Sequence, residues 1–176
     1  MTTVYSFRPE YFNNNGDQGN LEALEYFTRC KFVAGDIVGA DFVLIGDASR
    51  AAMREFSHEL EGLTELLQLR LDSGAPTLIV GSSYEFFCSR LSGMPKLAFG
   101  PRVSEFRTVE AFGMKVKGYR NSEVQNEDLF VKGLFVGTTL FGPVLAKNLK
   151  LAEMFATGLD LEMSVSEEVR QWIVLL

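Results

Sequence analysis

Apolar and polar positions follow two different periods along the first half of the chain. Short apolar runs predict strands at four places, residues 3–7, 32–33, 41–46 and 78–80. Between them, apolar residues recur every three or four positions in 21–30 and 49–71, as in helices that pack one face on a sheet, and Gly62 suggests a kink in the longer helix. Strands that alternate with helices predict an α/β domain with a mostly parallel sheet.

The second half of the chain has a different pattern. Strand-like segments follow one another without intervening helices at residues 96–99, 105–109, 114–119 and 129–136. We therefore expect an antiparallel extension of the sheet in the C-terminal half. Helices are predicted at 146–156 and 166–175, the second with Val169 and Trp172 packed inward. Because no linker or repeat divides the chain, a single domain spanning residues 1–176 is predicted.

The apolar run 78–80 ends abruptly at small residues. Gly81 permits unusual dihedral angles, and Ser82 followed by Glu85 matches a capping box, so Ser82 is predicted to cap a new helix. We call residues 81–85 the elbow. Ligands of α/β proteins bind at the carboxyl ends of parallel strands, which makes the elbow a candidate site, and the Gly46-Asp47 loop should lie beside it.

The polar loop 11–20 after the first strand consists largely of turn formers. Asn20 is the predicted N-cap of the first helix. Asn15, Asp17 and Asn20 are candidates for a surface that binds a small molecule or a partner, and a solvated loop that only positions the helix is the alternative.

Composition narrows the classes of partner. The chain has 17 basic and 23 acidic residues and a net charge of −6, and it lacks a basic run, which argues against nucleic acid and anionic membranes. Neither a signal peptide nor a spanning segment is recognisable, so we expect a soluble cytoplasmic protein. Cys30 and Cys88 supply neither a disulfide framework nor a zinc spacing, and no metal or cofactor is predicted. His58 is the single histidine available as a base.

Three segments carry a family resemblance. The loop 9–20 (PEYFNNNGDQGN), the turn 118–122 (GYRNS) and the segment 137–148 (GTTLFGPVLAKN) follow one another in family order. They resemble class I glutamine amidotransferase domains of the cobyric acid synthase type, especially the glutaminase subunit of lipid II isoglutaminyl synthase. The resemblance covers nearly the whole chain. It implies a three-layer, flavodoxin-like class I glutamine amidotransferase fold that docks on a ligase or synthetase subunit.

The departures from the family pattern concern its reacting groups. In register, the family's nucleophilic cysteine falls on Gly81 and its general-base histidine on Phe141. Asp47 would bring a carboxylate close to the developing oxyanion, which opposes the chemistry. Glycine is no nucleophile and phenylalanine accepts no proton, so residue type excludes the family mechanism. The resemblance thus implies a pseudoenzyme that binds a ligase-type partner or itself, and short segments such as 32–40 fit a streamlined copy from a mobile or viral genome.

An enzyme remains the alternative. A hydrolase or amidotransferase could use Ser82, Ser83 or Cys88 as a displaced nucleophile, although Cys88 has the apolar neighbours of an inert core thiol. Asp47 and Glu85 could form an acid–base or metal pair, but no third ligand is identifiable. The candidate pocket comprises Gly46, Asp47, Ser82, Ser83, Tyr84 and Glu85.

Overall fold

The computed structural model describes residues 1–175, so Leu176 of the predicted single domain lies outside the described residues. The chain forms an α/β fold. Its elements follow in the order β1 (Thr3–Ser6), α1 (Gly19–Thr28), β2 (Val33–Ala34), β3 (Phe42–Ile45), α2 (Arg50–Glu55), α3 (Ser57–Gly62), α4 (Thr64–Ser73), β4 (Thr77–Val80), α5 (Ser82–Cys88), β5 (Phe99–Ala111), β6 (Met114–Val124), β7 (Leu129–Lys132), β8 (Phe135–Thr138), β9 (Leu140–Phe141), α6 (Val144–Lys147), α7 (Leu149–Gly158) and α8 (Glu167–Leu175).

The larger sheet has six strands in the order β2-β1-β3-β4-β8-β7. Every neighbouring pair is parallel except β7 with β8, so the expectation of a mostly parallel sheet is confirmed. β3 and β4 are buried along their whole length. Strands covered on both faces need apolar side chains at successive positions, which explains why their sequences do not alternate.

Two layers of helices cover the two faces of this sheet. Successive residues of β3 and β4 point to opposite layers: Phe42 and Leu78 pack with α1, α6, α7 and α8, whereas Val43 and Ile79 pack with α2, α3, α4 and α5. The sheet therefore separates two apolar cores, and the carboxyl ends of its central strands meet at one edge.

The C-terminal strands differ in part from the prediction. β5 and β6 form a long antiparallel hairpin, and β9 joins it to complete a three-stranded sheet. These strands are antiparallel as predicted, but they form a second sheet and do not extend the main one. Residues 96–98, predicted as strand, lie outside β5. The predicted strand 129–136 is instead two strands, because Gly133 turns the chain with φ +61°. The second of these, β8, pairs parallel to β4 and belongs to the main sheet, which corrects its expected place in the extension.

Two predicted helices are interrupted. The segment 49–71 breaks at Phe56 and Leu63, which flank α3, and not at Gly62 alone. Its apolar spacing continues across both breaks because all three short helices contribute to the same core, so periodicity could not reveal them. The predicted helix at 146–156 is interrupted at Asn148, whose side chain bonds the backbone N–H and C=O of Lys117 at 2.7 and 2.8 Å.

The last helix only partly follows its prediction. Val169 of α8 packs against the core as expected, but Trp172 is 67% exposed, so its predicted inward position is wrong. Among the helices of residues 1–175, none combines the length and the apolar character needed to cross a bilayer.

Candidate functional site

A cleft opens where β3 and β4 end, and we call it the elbow cleft. Its volume is about 570 Å³, and it lies between the N-terminal loop, the elbow and the β5–β6 hairpin. Its charged lining comprises three carboxylates and two guanidinium groups, from Asp47, Glu85, Glu123, Arg50 and Arg102. The strand order brings Asp47, Arg50 and Glu85 together, because the carboxyl ends of β3 and β4 share one edge of the parallel sheet. Arg102 and Glu123 come from the hairpin of the smaller sheet.

The backbone of the elbow is sharply turned. Gly81 has φ +61° and ψ −128°, a conformation that side chains disfavour. A Cβ added there would overlap Oδ1 of Asp47 and lie 2.7 Å from both Cγ of Asp47 and Cε1 of Phe141. The space that a side chain at position 81 would occupy is therefore filled by Asp47 and Phe141.

Asp47 caps the elbow helix from a neighbouring loop. Its Oδ1 accepts hydrogen bonds from the backbone N–H and the hydroxyl of Ser82, both at 2.8 Å, and its Oδ2 accepts one from Nδ2 of Asn15 at 2.9 Å. The predicted capping box is thus wrong: the N-cap is Gly81, without a side-chain bond. A carboxylate at a helix N-terminus is stabilised by the helix dipole, which explains why Asp47 takes this role.

The Ser82 hydroxyl bridges two loops. Besides its bond to Asp47, it lies 3.0 Å from the carbonyl oxygen of Ala48 and accepts a bond from the Ala48 N–H at 3.1 Å. The residues that line the elbow cleft include no histidine, cysteine or lysine. His58 lies exposed on α3, outside this lining. Among the described residues of the cleft, Asp47 is the one group that contacts the hydroxyl and could accept its proton.

Glu85 contributes a second carboxyl group to the cleft wall. Its Oε1 accepts a hydrogen bond from the Ser122 hydroxyl at 2.7 Å. Burial raises the pKa of Glu85, and the charge of Asp47 acts in the same direction. Both predicted carboxylates therefore line the elbow cleft. Within residues 1–175, no cluster of three acidic, histidine or cysteine side chains could hold a metal ion.

Of the three residues predicted as a binding surface in the N-terminal loop, one lines the elbow cleft and two are internal. Asn15 lines the elbow cleft, but Asp17 and Asn20 are fully buried, so their prediction as surface residues is wrong. Asp17 accepts the N–H of Asp47 at 2.9 Å and that of Gly142 at 3.1 Å, and burial raises its pKa to about 7. It ties the loop after β3 to the loop after β9.

Asn20 makes a similar tie and does not cap α1, which begins at Gly19. Its Nδ2 donates to the carbonyl of Gly142 at 3.2 Å, and its Oδ1 accepts the N–H of Leu145 at 2.9 Å. Asp17 and Asn20 stand three positions apart at the start of a helix and so lie on the same side. Their partners, Gly142 in the loop after β9 and Leu145 in α6, stand 122 and 125 positions away along the chain, so a local sequence pattern cannot reveal these contacts.

Three other predicted pocket residues lie outside the lining of the elbow cleft. Gly46 is buried, and a Cβ there would overlap the carbonyl oxygen of Phe12. The Ser83 hydroxyl donates to the Gly46 carbonyl at 2.7 Å, while the fully buried Tyr84 donates to the carbonyl of Glu127 at 3.0 Å. These residues support the cleft from below, and none of them is placed to contact a ligand.

Cys88 is also outside the elbow cleft. Burial raises the pKa of its thiol to about 12, which leaves little thiolate near neutral pH. The structure thus supports the inert interpretation of this cysteine over a role as displaced nucleophile.

The hairpin residues of the cleft were missed from the sequence. Arg102, Asn121 and Glu123 form one wall, and Glu123 bridges Arg50 at 3.1 Å and Arg102 at 3.2 Å. Their alternation along the strands marks one face of the hairpin but does not show what that face adjoins.

No model of a known protein family and no curated protein matches the sequence.

Proposed function

We propose that this chain is a non-catalytic relative of the class I glutamine amidotransferase domains and that it acts by binding a protein partner. The order β2-β1-β3-β4-β8 supports a flavodoxin-like sheet, since these strands follow the sequence ranks 2-1-3-4-5. The elbow at the end of β4 supports the family relationship further, as do the loops after β3 and β9, which Asp17 ties to one another.

One observation carries the non-catalytic part of the proposal. The position that should bear the nucleophile is Gly81, and the carboxylate of Asp47 and the ring of Phe141 occupy the space of a side chain there. A substrate carbonyl would also meet a negative charge where an oxyanion hole needs hydrogen-bond donors. Both the reacting group and its electrostatic support are therefore missing from the elbow.

The elbow cleft has the character of a polar recognition surface. Acidic and basic groups alternate across it, and the Arg50–Glu123 and Arg102–Glu123 bridges are exposed at its mouth. Charges at the rim of a protein interface contribute more to the specificity and the rate of association than to affinity. A ligase or synthetase subunit is the partner that the family resemblance implies.

Two measurements test this function. Ammonia release from glutamine should not exceed that of a protein-free control. In affinity capture from the source lysate, the native chain should retain a ligase-like protein. An Arg50→Glu bait, which reverses a charge at the cleft mouth, should lose it, whereas a Lys150→Glu bait with the same charge change on the exposed start of α7 should keep it. If all three baits capture the same amount of the ligase-like protein, the elbow cleft is not the surface that binds it.

A hydrolase is the second candidate, because the Ser82 hydroxyl donates to Asp47 inside the cleft. Against it, the Asp47 carboxylate already accepts bonds from three N–H donors, which leaves few lone pairs for a proton. Turnover of any amide or ester that is lost in Ser82→Ala and kept in Ser83→Ala and Cys88→Ala would replace the binding proposal with this enzyme.

A further inference from the structure

β5 is the edge strand of the smaller sheet. The strand order β5-β6-β9 leaves one side of its thirteen residues unpaired in the part of the chain that the structure describes. Phe106, near its middle, is 75% exposed and packs edge-to-face against Tyr119 of β6, with 5.3 Å between ring centroids. A long exposed edge with a large apolar side chain is a template for pairing with another strand.

The sequence of this edge is self-complementary. When the strand is laid antiparallel on a second copy of itself with Phe106 facing Phe106, every charged residue between 102 and 110 meets its opposite. The facing pairs are Arg102 with Glu110, Val103 with Val109, Ser104 with Thr108, and Glu105 with Arg107. We propose that two copies of this chain associate through β5, about a two-fold axis at Phe106, to form one continuous six-stranded antiparallel sheet.

Only one register has this property. A two-fold axis perpendicular to a sheet makes one residue face its own copy, so the neighbouring registers centre on Glu105 or Arg107. Each of these opposes two like charges at the centre, and the first also places Val103 against Arg107. Like charges directly opposite are destabilising, whereas opposite charges and apolar pairs each stabilise the sheet. The pattern therefore selects the Phe106 register over its alternatives.

The pairing satisfies both the backbone and the exposed ring. β5 has a regular register from Val103 onward, after an irregularity between Phe99 and Val103. The seven facing positions 103–109 in an antiparallel ladder exchange roughly six to eight backbone hydrogen bonds, and Arg102 with Glu110 adds a charge pair at each end. The two Phe106 rings become neighbours across the axis and cover each other's exposed surface. Arg107 already bonds Glu105 at 2.8 Å in its own strand and also bonds Asp128, so the pairing adds a third carboxylate to a side chain that is held in place.

The second copy would also reach the elbow cleft. Arg102 lines that cleft, and in the proposed register it faces Glu110 of the second copy. Self-association would therefore add a carboxylate at the rim of the recognition surface. This inference does not depend on the partner-binding proposal, because it requires only the edge and the charge pattern of β5.

The test is the mass of the full-length chain in analytical ultracentrifugation. The native chain should sediment as a dimer at about 50 µM, as expected of a moderate interface. Glu110→Arg and Arg102→Glu each place like charges opposite one another at two symmetric positions, and each should raise the dissociation constant at least about tenfold. An equimolar mixture of these two variants restores opposite charges at both positions and should sediment as a heterodimer. Glu153→Arg, the same charge change on exposed α7, is the matched control and should remain dimeric.

Three results would overturn the proposal. They are a native chain that stays monomeric at about 200 µM, a dimer whose dissociation constant is unaffected by Glu110→Arg, and single variants that fail to recover the dimer on mixing. Circular dichroism of each variant separates misfolding from loss of association, and the mixing result is itself insensitive to small losses of stability.

Discussion

Gly81→Ala probes the filled space at the elbow most directly. The added Cβ has to adopt φ +61° and ψ −128°, which costs about 1–3 kcal/mol for a residue other than glycine. It also lies 2.7 Å from Cγ of Asp47 and Cε1 of Phe141, and such overpacking costs about 1–3 kcal/mol more. Because the costs of strain and overlap add, we expect the free energy of unfolding to fall by about 2–6 kcal/mol. This is a large share of the 5–15 kcal/mol that is typical of a domain.

The control separates strain from overlap. Gly16 has φ +78°, and a Cβ added there would have no heavy atom within 4 Å, so Gly16→Ala carries the conformational cost alone, about 1–2 kcal/mol. Urea unfolding followed by far-ultraviolet circular dichroism measures both variants. In Gly81→Ala combined with Phe141→Ala, removal of the ring relieves part of the overlap, so the double variant should lose less stability than the sum of the two single ones. If Gly81→Ala destabilises no more than Gly16→Ala, the space beside the elbow is open and the filled-site reasoning is wrong.

Three further predictions concern buried groups. Because the pKa of Asp17 rises from 3.8 to about 7 on folding, the folded chain holds more protons than the unfolded chain between these values. As pH rises through this window, the free energy of unfolding of the native chain should therefore fall by up to about 4 kcal/mol relative to that of Asp17→Asn. Urea titrations at several pH values measure both chains. Free energies of unfolding that change in parallel with pH for the two chains would contradict this. Tyr84→Phe removes the bond to the Glu127 carbonyl and should cost about 1 kcal/mol in the same assay, so an unchanged midpoint would refute it. In a Cys30→Ser chain, burial raises the pKa of Cys88 to about 12 and so lowers its thiolate fraction near neutral pH roughly a thousandfold relative to the unfolded thiol. Because a thiolate of higher pKa is the stronger nucleophile, the reaction with iodoacetamide should be roughly a hundredfold slower in the folded chain, and equal rates would show an accessible thiolate.

Burial on both faces is what made the main sheet predictable. Strands such as 41–46 and 78–80 appear as uninterrupted apolar runs because both of their faces are covered, and the structure confirms them with small changes of boundary. Gly81 was identified as the point of a sharp turn for a related reason: few residues besides glycine adopt its backbone angles. Local chemistry of this kind is encoded within a few positions of the chain.

Long-range partners explain the errors. The capping box at Ser82 satisfied every local criterion, yet Asp47 reaches the helix N-terminus from 35 residues away and displaces it. Asp17 and Asn20 have the composition of a solvated loop and are buried because their partners lie at the other end of the chain. Propensity and spacing carry no information on such contacts.

The sequence by itself determined the alternation of strands and helices, the elbow at Gly81 and the self-complementary charges of residues 102–110. The tertiary structure alone decided that Asp47 and Phe141 fill the elbow, that the hairpin walls the elbow cleft, and that β5 is an edge. The physical reason is the range of the interactions. Backbone preference and hydrophobic period act over a few residues. Side chains packed beside Gly81, the charged lining of the elbow cleft and the unpaired edge of β5 depend instead on which distant segments meet.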